Sequence, residues 1–202
     1  IDPATMRIPV APAAHYACGG VGADLDGRTD LEGLYAVGEV ACTGLHGANR
    51  LASNSVTEGV VAGTRLGRDL AWRLPDEVVP EQASGPVVGG LLAPAQRADL
   101  RAAMSRHVGV LRNASGLDAV ASTLAALGAS VSAEVPPSRR AWEATNLLTV
   151  ASAVVAAASA RTESRGCHRR SDFPEPREIW LTHLDVALGK SGFTVEGIPV
   201  GA

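Results

Sequence analysis

Between Thr43 and Gly59 the chain reads TGLHGANRLASNSVTEG, which places His46, Arg50, two asparagines and two serines directly ahead of or at the start of a helical pattern. Arg50 contributes a planar guanidinium fork, the donor geometry that matches a carboxylate through two parallel hydrogen bonds. A helix starting near Ser53 adds unpaired amides and the positive end of its dipole, enough to stabilise an anion or a negatively polarised ring edge without a charged side chain. A phosphate cradle usually has glycines where close approach is needed, whereas ASNSV offers side-chain amides and hydroxyls to a flatter partner. A reduced flavin, which holds negative charge near N1 and C2=O, has that shape. Two further groups lie upstream: His15 in PAAHY, flanked by proline and glycines, and Glu39 at the end of the apolar run LEGLYAVGEV.

These groups need a frame. Ser55-x-x-Glu58 is a capping-box pattern, so Ser53, Asn54 or Ser55 is expected to cap a helix that runs to about Leu74 and stops at Pro75. Gly59, Gly63 and Gly67 recur on one face of that helix, and each costs about 1 kcal/mol of helix propensity, so the spacing predicts close packing against another backbone. Before the helix, VGADLDGRTD carries turn chemistry at Asp26-Gly27, and LEGLYAVGEV reads as a buried strand. After it, Asp76 to Leu92 reads as an exposed linker rich in proline, glycine and serine. Helical periods then cover Pro94 to Asn113, Ser115 to about Leu127, and Ser138 to Arg165, with prolines before the last helix and Gly166 after it. This predicts a small three-helix bundle. Glu163 and Arg165 are expected to cap the last helix and to pair across the domain contact. The polar tail CHRRSDFPEPREIWLTHLDV is expected to be a short strand or extended segment anchored by Trp180 and Leu181.

Composition narrows the function. With 18 basic against 21 acidic side chains and 3% aromatic content, the chain has neither the charge nor the stacking surface for nucleic acid. Cys18, Cys42 and Cys167 are an odd, widely spaced set with no C-x-x-C, which argues for a reducing compartment and against a zinc site or disulfide frame. The most apolar run, Leu147 to Ala160, is interrupted by Thr149, Ser152 and Ser159 and is short for a bilayer, so it reads as a buried helix. The opening IDPATMRIPV, without an initiator methionine, reads as the interior of a longer protein.

Three blocks, IPVAPAAHYACGG, GLYAVGEVACTGLHGANRLASNSVTEG and ARTESRGCHRR, resemble in that order the C-terminal part of flavoproteins of the succinate dehydrogenase and fumarate reductase family. They span most of the chain and together are highly specific. The resemblance implies an α/β, Rossmann-like FAD-binding domain portion over residues 1–75, followed beyond the 76–92 linker by an all-α three-helix bundle over 93–166 and a tail over 167–202. It implies an incomplete fragment of a larger flavoprotein. No G-x-G-x-x-G opens a helix here, since Gly20-x-Gly22 leads into Ala-Asp-Leu. The dinucleotide fingerprint, and a capping domain supplying a proton-transferring arginine, are therefore expected in an N-terminal half of the same protein.

The resemblance also assigns roles. His15 and Arg50 grip opposite carboxylates of a four-carbon diacid, and Ser53 joins them in the substrate site. Glu39 accepts from a ribose-type hydroxyl of non-covalently held FAD. Asn54, Ser55 and Val56 meet the pyrimidine edge of the isoalloxazine. No metal is implied. PAAHYACGG and LASNS are closer to the amino-acid-oxidising branch of the family, because the dehydrogenases tend to have glycines before the Asn-Ser pair. That branch implies hydride removal from C2 of L-aspartate to give iminoaspartate, reoxidation by oxygen or fumarate, and delivery of the imine to quinolinate synthase in cytoplasmic NAD biosynthesis.

Plainer alternatives stand beside these roles. His15 is alternatively a satisfied structural histidine, Arg50 a surface ion-pair partner and Glu39 a solvated carboxylate. His46 is expected to brace its loop, and Cys18 and Cys42 are expected to be small packed side chains. For the whole protein, one alternative is a succinate dehydrogenase or fumarate reductase flavoprotein subunit, which shares the clamp. The other is a non-catalytic piece whose helices form a docking surface.

Overall fold

Asp24 nucleates the turn expected at Asp26-Gly27 in the computed structural model, which describes residues 1–10, 14–74 and 89–200. Its Oδ1 accepts the amides of Asp26 and Arg28, both at 2.9 Å, and Gly27 turns through a left-handed φ of 79° that glycine adopts without strain. A side chain at Gly27 would also place Cβ 2.7 Å from Val37 Cγ1. The chain divides into two compact units, Ala14–Gly85 and a second that joins Ile1–Ala13 to Pro86–Ala202.

In the Ala14–Gly85 unit, two-residue strands β1 (Val21–Gly22) and β2 (Ala41–Cys42) pair in parallel. The buried strand expected over LEGLYAVGEV does not form as such. Tyr35 makes an isolated bridge to Arg28, Gly38–Val40 is a short 3-10 turn, and Leu31, Leu34 and Val40 are exposed. An apolar run alone does not make a strand without a neighbour to pair with.

Helix α1 (Asn54–Arg73) ends at Leu74, as the following proline requires. Its start differs from expectation. Ser53 occupies the N-cap at a φ of 69° and its side chain makes no capping hydrogen bond; with the helix starting here, Glu58 lies too far along to act as the capping-box glutamate and turns to other partners. Ala62 and Leu66 face inward, and Asp69 pairs with Arg28 at 3.2 Å, tying the helix to the Asp24 turn. Of the three in-register glycines, only Gly59 meets backbone closely, since a Cβ there would lie 3.7 Å from Gly38 Cα. Positions 63 and 67 have nothing within 4 Å among the described residues.

In the second unit, α2 (Arg97–His107), α3 (Ala114–Ala129) and α4 (Arg139–Ala160) share one apolar core. Leu92, Leu100, Leu117, Val120 and Leu124 lie at its centre, against Ala144, Leu148 and Val155 of α4. Asn113 and Ser138 cap α3 and α4 by accepting the amides of Gly116 and Ala141, the role their residue types favour. By length and apolarity α4 would also suit a bilayer, but Ala141, Ala144, Leu148, Ala151, Val155 and Ala158 pack into the core. Most of the expected 76–92 linker lies outside the described residues. Its end is not exposed: Leu92 is fully buried, with its amide donating to Thr145 Oγ1 at 2.9 Å.

The last helix stops at Ala160 rather than Arg165, and residues after it turn into a polar knot. Glu163, fully buried, receives Arg161 Nη1 at 2.8 Å, Arg165 Nε at 2.9 Å and the Arg177 amide at 2.8 Å. Glu163 and Arg165 thus pair with each other instead of capping α4. Arg170, itself buried, forks onto Asp172 at 2.8 and 2.7 Å and donates to the Ala158 carbonyl near the end of α4. Asp172 also accepts the Ala114 amide at the start of α3. The tail is more regular than expected: β3 (Thr182–Gly189) and β4 (Gly192–Pro199) form an antiparallel hairpin around Lys190-Ser191, so this unit is not purely helical. Trp180 anchors the entry, donating its indole N–H to Thr162 under the Arg161 guanidinium.

Candidate functional site

Glu58 sits in the second turn of α1 and reaches back to the loop before the helix. Its Oε2 lies 2.6 Å from His46 Nε2, and its Oε1 accepts the Thr43 hydroxyl at 2.7 Å. A carboxylate only accepts, so the imidazole donates through Nε2. Both side chains are shielded, with relative exposures of 11% for His46 and 7% for Glu58. The bracing role expected of His46 is thus visible in its partners, and the glutamate of the apparent capping box is what braces it.

His46 and Tyr16 meet in a T-shaped contact, with centroids 5.3 Å apart and planes at 83°. The Arg50 guanidinium carbon in turn stands 4.7 Å from the Tyr16 ring centroid, within cation–π range. Burial pushes the Tyr16 phenol above its ordinary range, and the nearby Glu58 and Glu39 carboxylates add to this. Arg50 spends one donor on the Leu51 carbonyl at 3.2 Å, while its Nε is buried without a hydrogen-bond partner. A buried guanidinium donor without an acceptor costs free energy unless something external meets it.

Around this stack lie the other expected residues. His15 is exposed, directly precedes Tyr16, and makes no hydrogen bond or ion pair to a described residue. Glu39 follows the tight turn at Gly38 and accepts the Ala17 amide through Oε1 at 3.2 Å, which joins it to the His15 loop. Ser53, Asn54 and Val56 are exposed at the start of α1 and Ser55 is half-buried. The Ser55 amide reaches no acceptor among the described residues. This uncapped helix start fits a hydrogen-bonding ring edge: it presents the Ser55 amide beside the Ser53 and Ser55 hydroxyls. Cys18 and Cys42 are half-buried near the same loops.

Tyr16, Thr43 and Glu58 were not singled out as site residues by sequence reasoning. A signal for Tyr16 existed, because a chain with only two tyrosines places one of them beside the candidate histidine. Glu58 was masked by its fit to a capping box.

Residues 1–56 match the model of the FAD binding domain, and residues 97–200 match that of the fumarate reductase flavoprotein C-terminal domain. The chain belongs to the succinate dehydrogenase and fumarate reductase flavoprotein family. Among its relatives are the L-aspartate oxidases of Streptomyces coelicolor, 44% identical over 93% of this chain and 35% of the relative, and of Mycobacterium tuberculosis, 48% identical over 86% and 33%. Solved structures agree in fold. A variant of the E. coli quinol fumarate reductase superposes with a TM-score of 0.77 at 28% identity, covering 100% of this chain and 39% of that one. Mycobacterium smegmatis Sdh1 gives 0.70 at 29%, covering 92% and 35%. The chain spans about a third of the length of these L-aspartate oxidases.

Proposed function

We propose that this chain is the C-terminal third of an FAD-dependent L-aspartate oxidase and carries the carboxylate clamp of its active site. The observation that supports the reading most is the Arg50 guanidinium, fixed on the ring that follows His15, with a buried Nε awaiting an acceptor. A dicarboxylate gripped by Arg50 at one end and His15 at the other is held at a fixed angle. Rotation of the substrate is thereby suppressed, and orientation alone can lower a barrier by several kcal/mol, of the roughly 7–11 kcal/mol available to well-held reactants. Ser53 lies between the clamp and the helix start and completes the substrate side. Asn54, Ser55 and Val56 would hold the pyrimidine edge of FAD, and Glu39 would take a ribose hydroxyl through its second carboxylate oxygen. FAD, when bound, supplies the hydride acceptor at N5, with oxygen (giving hydrogen peroxide) or fumarate as the final acceptor.

On this reading residues 1–75 complete an FAD-binding domain whose other part lies in the rest of the protein, and α2–α4 form the three-helix bundle. Iminoaspartate would be passed to quinolinate synthase as the first step of NAD biosynthesis, in the cytoplasm. The similarity of 44–48% to L-aspartate oxidases favours this over the succinate dehydrogenase or fumarate reductase reading, which rests on solved structures at 28–29%.

The test uses the full-length protein. It should purify yellow, and L-aspartate should bleach the flavin anaerobically, with fumarate restoring the colour. Bleaching by succinate but not aspartate would select the dehydrogenase reading. A colourless protein that cannot be loaded with FAD would leave only a binding module.

A further inference from the structure

Tyr16 is the centre of a column that begins on α1 and ends at Arg50. Glu58 holds His46 from the helix, His46 packs at a right angle to the Tyr16 ring, and Tyr16 presents a face to the guanidinium. Its four members come from three segments, Glu58 from α1, His46 and Arg50 from the loop 43–50 and Tyr16 from the loop at His15, so the column ties both loops to one helix. We infer that Tyr16 is a positioning residue: its ring sets the plane of the Arg50 guanidinium and, through the adjacent residue His15, the span between the two donors that receive a dicarboxylate. The inference rests on Arg50 as a carboxylate clamp.

Three observations carry it. Among the described residues Arg50 makes a single hydrogen bond, to the neighbouring Leu51 carbonyl, and no carboxylate there fixes its orientation. The stacking contact to Tyr16 at 4.7 Å is what remains to do so. Finally, Tyr16 offers its ring rather than its hydroxyl, which enters no hydrogen bond with a described residue. A guanidinium over an aromatic face keeps its donor edge free, whereas an ion pair would consume the donors a ligand needs.

The inference predicts that the ring face matters and the hydroxyl does not. In the full-length holoenzyme, succinate serves as a non-reacting probe, titrated through its perturbation of the flavin absorption. Tyr16→Leu should weaken succinate about tenfold and raise KM for aspartate to a similar degree, with kcat changed far less and flavin content kept. Tyr16→Phe should rescue most of that affinity, and Glu58→Gln should weaken succinate by about threefold through His46. Equal losses in Tyr16→Leu and Tyr16→Phe, or wild-type affinity in Tyr16→Leu, would overturn the inference. If Tyr16→Leu does not fold, Tyr16→Phe and Glu58→Gln decide: affinity lost in the first or unchanged in the second refutes it. Arg50→Ala in the same series separates the two levels. Succinate binding that survives Arg50→Ala sinks the clamp itself, while binding lost there but intact in Tyr16→Leu sinks only the role of Tyr16.

Discussion

Among the described residues from Ala14 to Leu74, only Gly27, Ala36, Ala41, Ala62 and Leu66 are buried, whereas the helical region encloses Leu92, Leu100, Leu117, Val120, Leu124 and Val155 in one core. The first region is held by directional contacts instead: the Asp24 turn, the Arg28–Asp69 pair and the Glu58–His46–Tyr16 column. Directional contacts fix angles, which the proposed site for a planar ring and two carboxylates would require, but they contribute little net stability. Burial of apolar surface contributes stability and imposes no particular angle. Within the described residues the two regions thus differ in what holds them: directional contacts in the first, a shared apolar core in the second.

The sharpest way to break this comparison is to remove the clamp. Arg50→Ala in the full-length protein should lower turnover of aspartate on the order of a thousandfold while leaving flavin content and the melting temperature near wild type. Absorption spectra and a thermal melt check both. Parallel loss of flavin would show that Arg50 belongs to the scaffold and that the two regions are less distinct than their packing implies.

In the helical region the reverse pattern is expected. Glu163→Ala strands the Arg161 and Arg165 guanidiniums around a vacated buried position and should cost about 3 kcal/mol of unfolding free energy, measured by urea denaturation. The same knot predicts a pH dependence. Burial alone would raise the Glu163 carboxyl, but hydrogen bonds from Arg165, the Arg177 amide and Arg161 outweigh it and hold it below its usual range. Asp172 is held well below its own, chiefly by the Arg170 fork and then by the Ala114 amide, against the effect of burial. The folded state thus binds these protons more weakly than the unfolded chain does. Their stabilisation is complete above the ordinary carboxylate range near pH ~4 and is lost progressively as pH falls below that range and through the lower folded-state values. Melting temperature should drop on acidification through that range, and Asp172→Asn should flatten the decline.

A smaller effect is expected at His15, which has no hydrogen-bond or ion-pair partner among the described residues. His15→Ala should raise KM for aspartate about tenfold, the worth of one hydrogen bond to a charged group, with the thermal melt unmoved. A collapsed melt would mean that the imidazole supports the loop.

How much of this was legible in the sequence follows the same division. Helices declare themselves through period and caps, so α1 to α4 fall close to their expected places, and Ser138 and Pro75 bound them for the reasons their chemistry gives. The end of α4 was misread because Arg161 to Arg165 continues a helical pattern, while Glu163 gains more from three converging donors than from another helical turn. The hairpin at Lys190-Ser191 left a readable trace in GKSG, two glycines flanking a two-residue loop between alternating segments. The column through Tyr16 could not be read, because its members are joined by folding and not by spacing. Arg50 was identified through its resemblance to a family motif, and only geometry shows what holds it.

The smallest effect tests the helix that joins site to scaffold. At Gly63 a Cβ would meet nothing within 4 Å among the described residues, so within this chain the glycine carries only its conformational penalty. Gly63→Ala should stabilise α1 by about 0.5–1 kcal/mol, read from the urea midpoint. Gly59→Ala has the same gain in propensity but brings Cβ to 3.7 Å from Gly38 Cα, an ordinary contact beside the turn that aims Glu39. The pair separates packing from propensity: equal gains would show that the close approach of α1 to Gly38 tolerates a methyl group. A gain at 63 with none at 59 would show that this approach is tight, and that the glycine serves the site and not the helix.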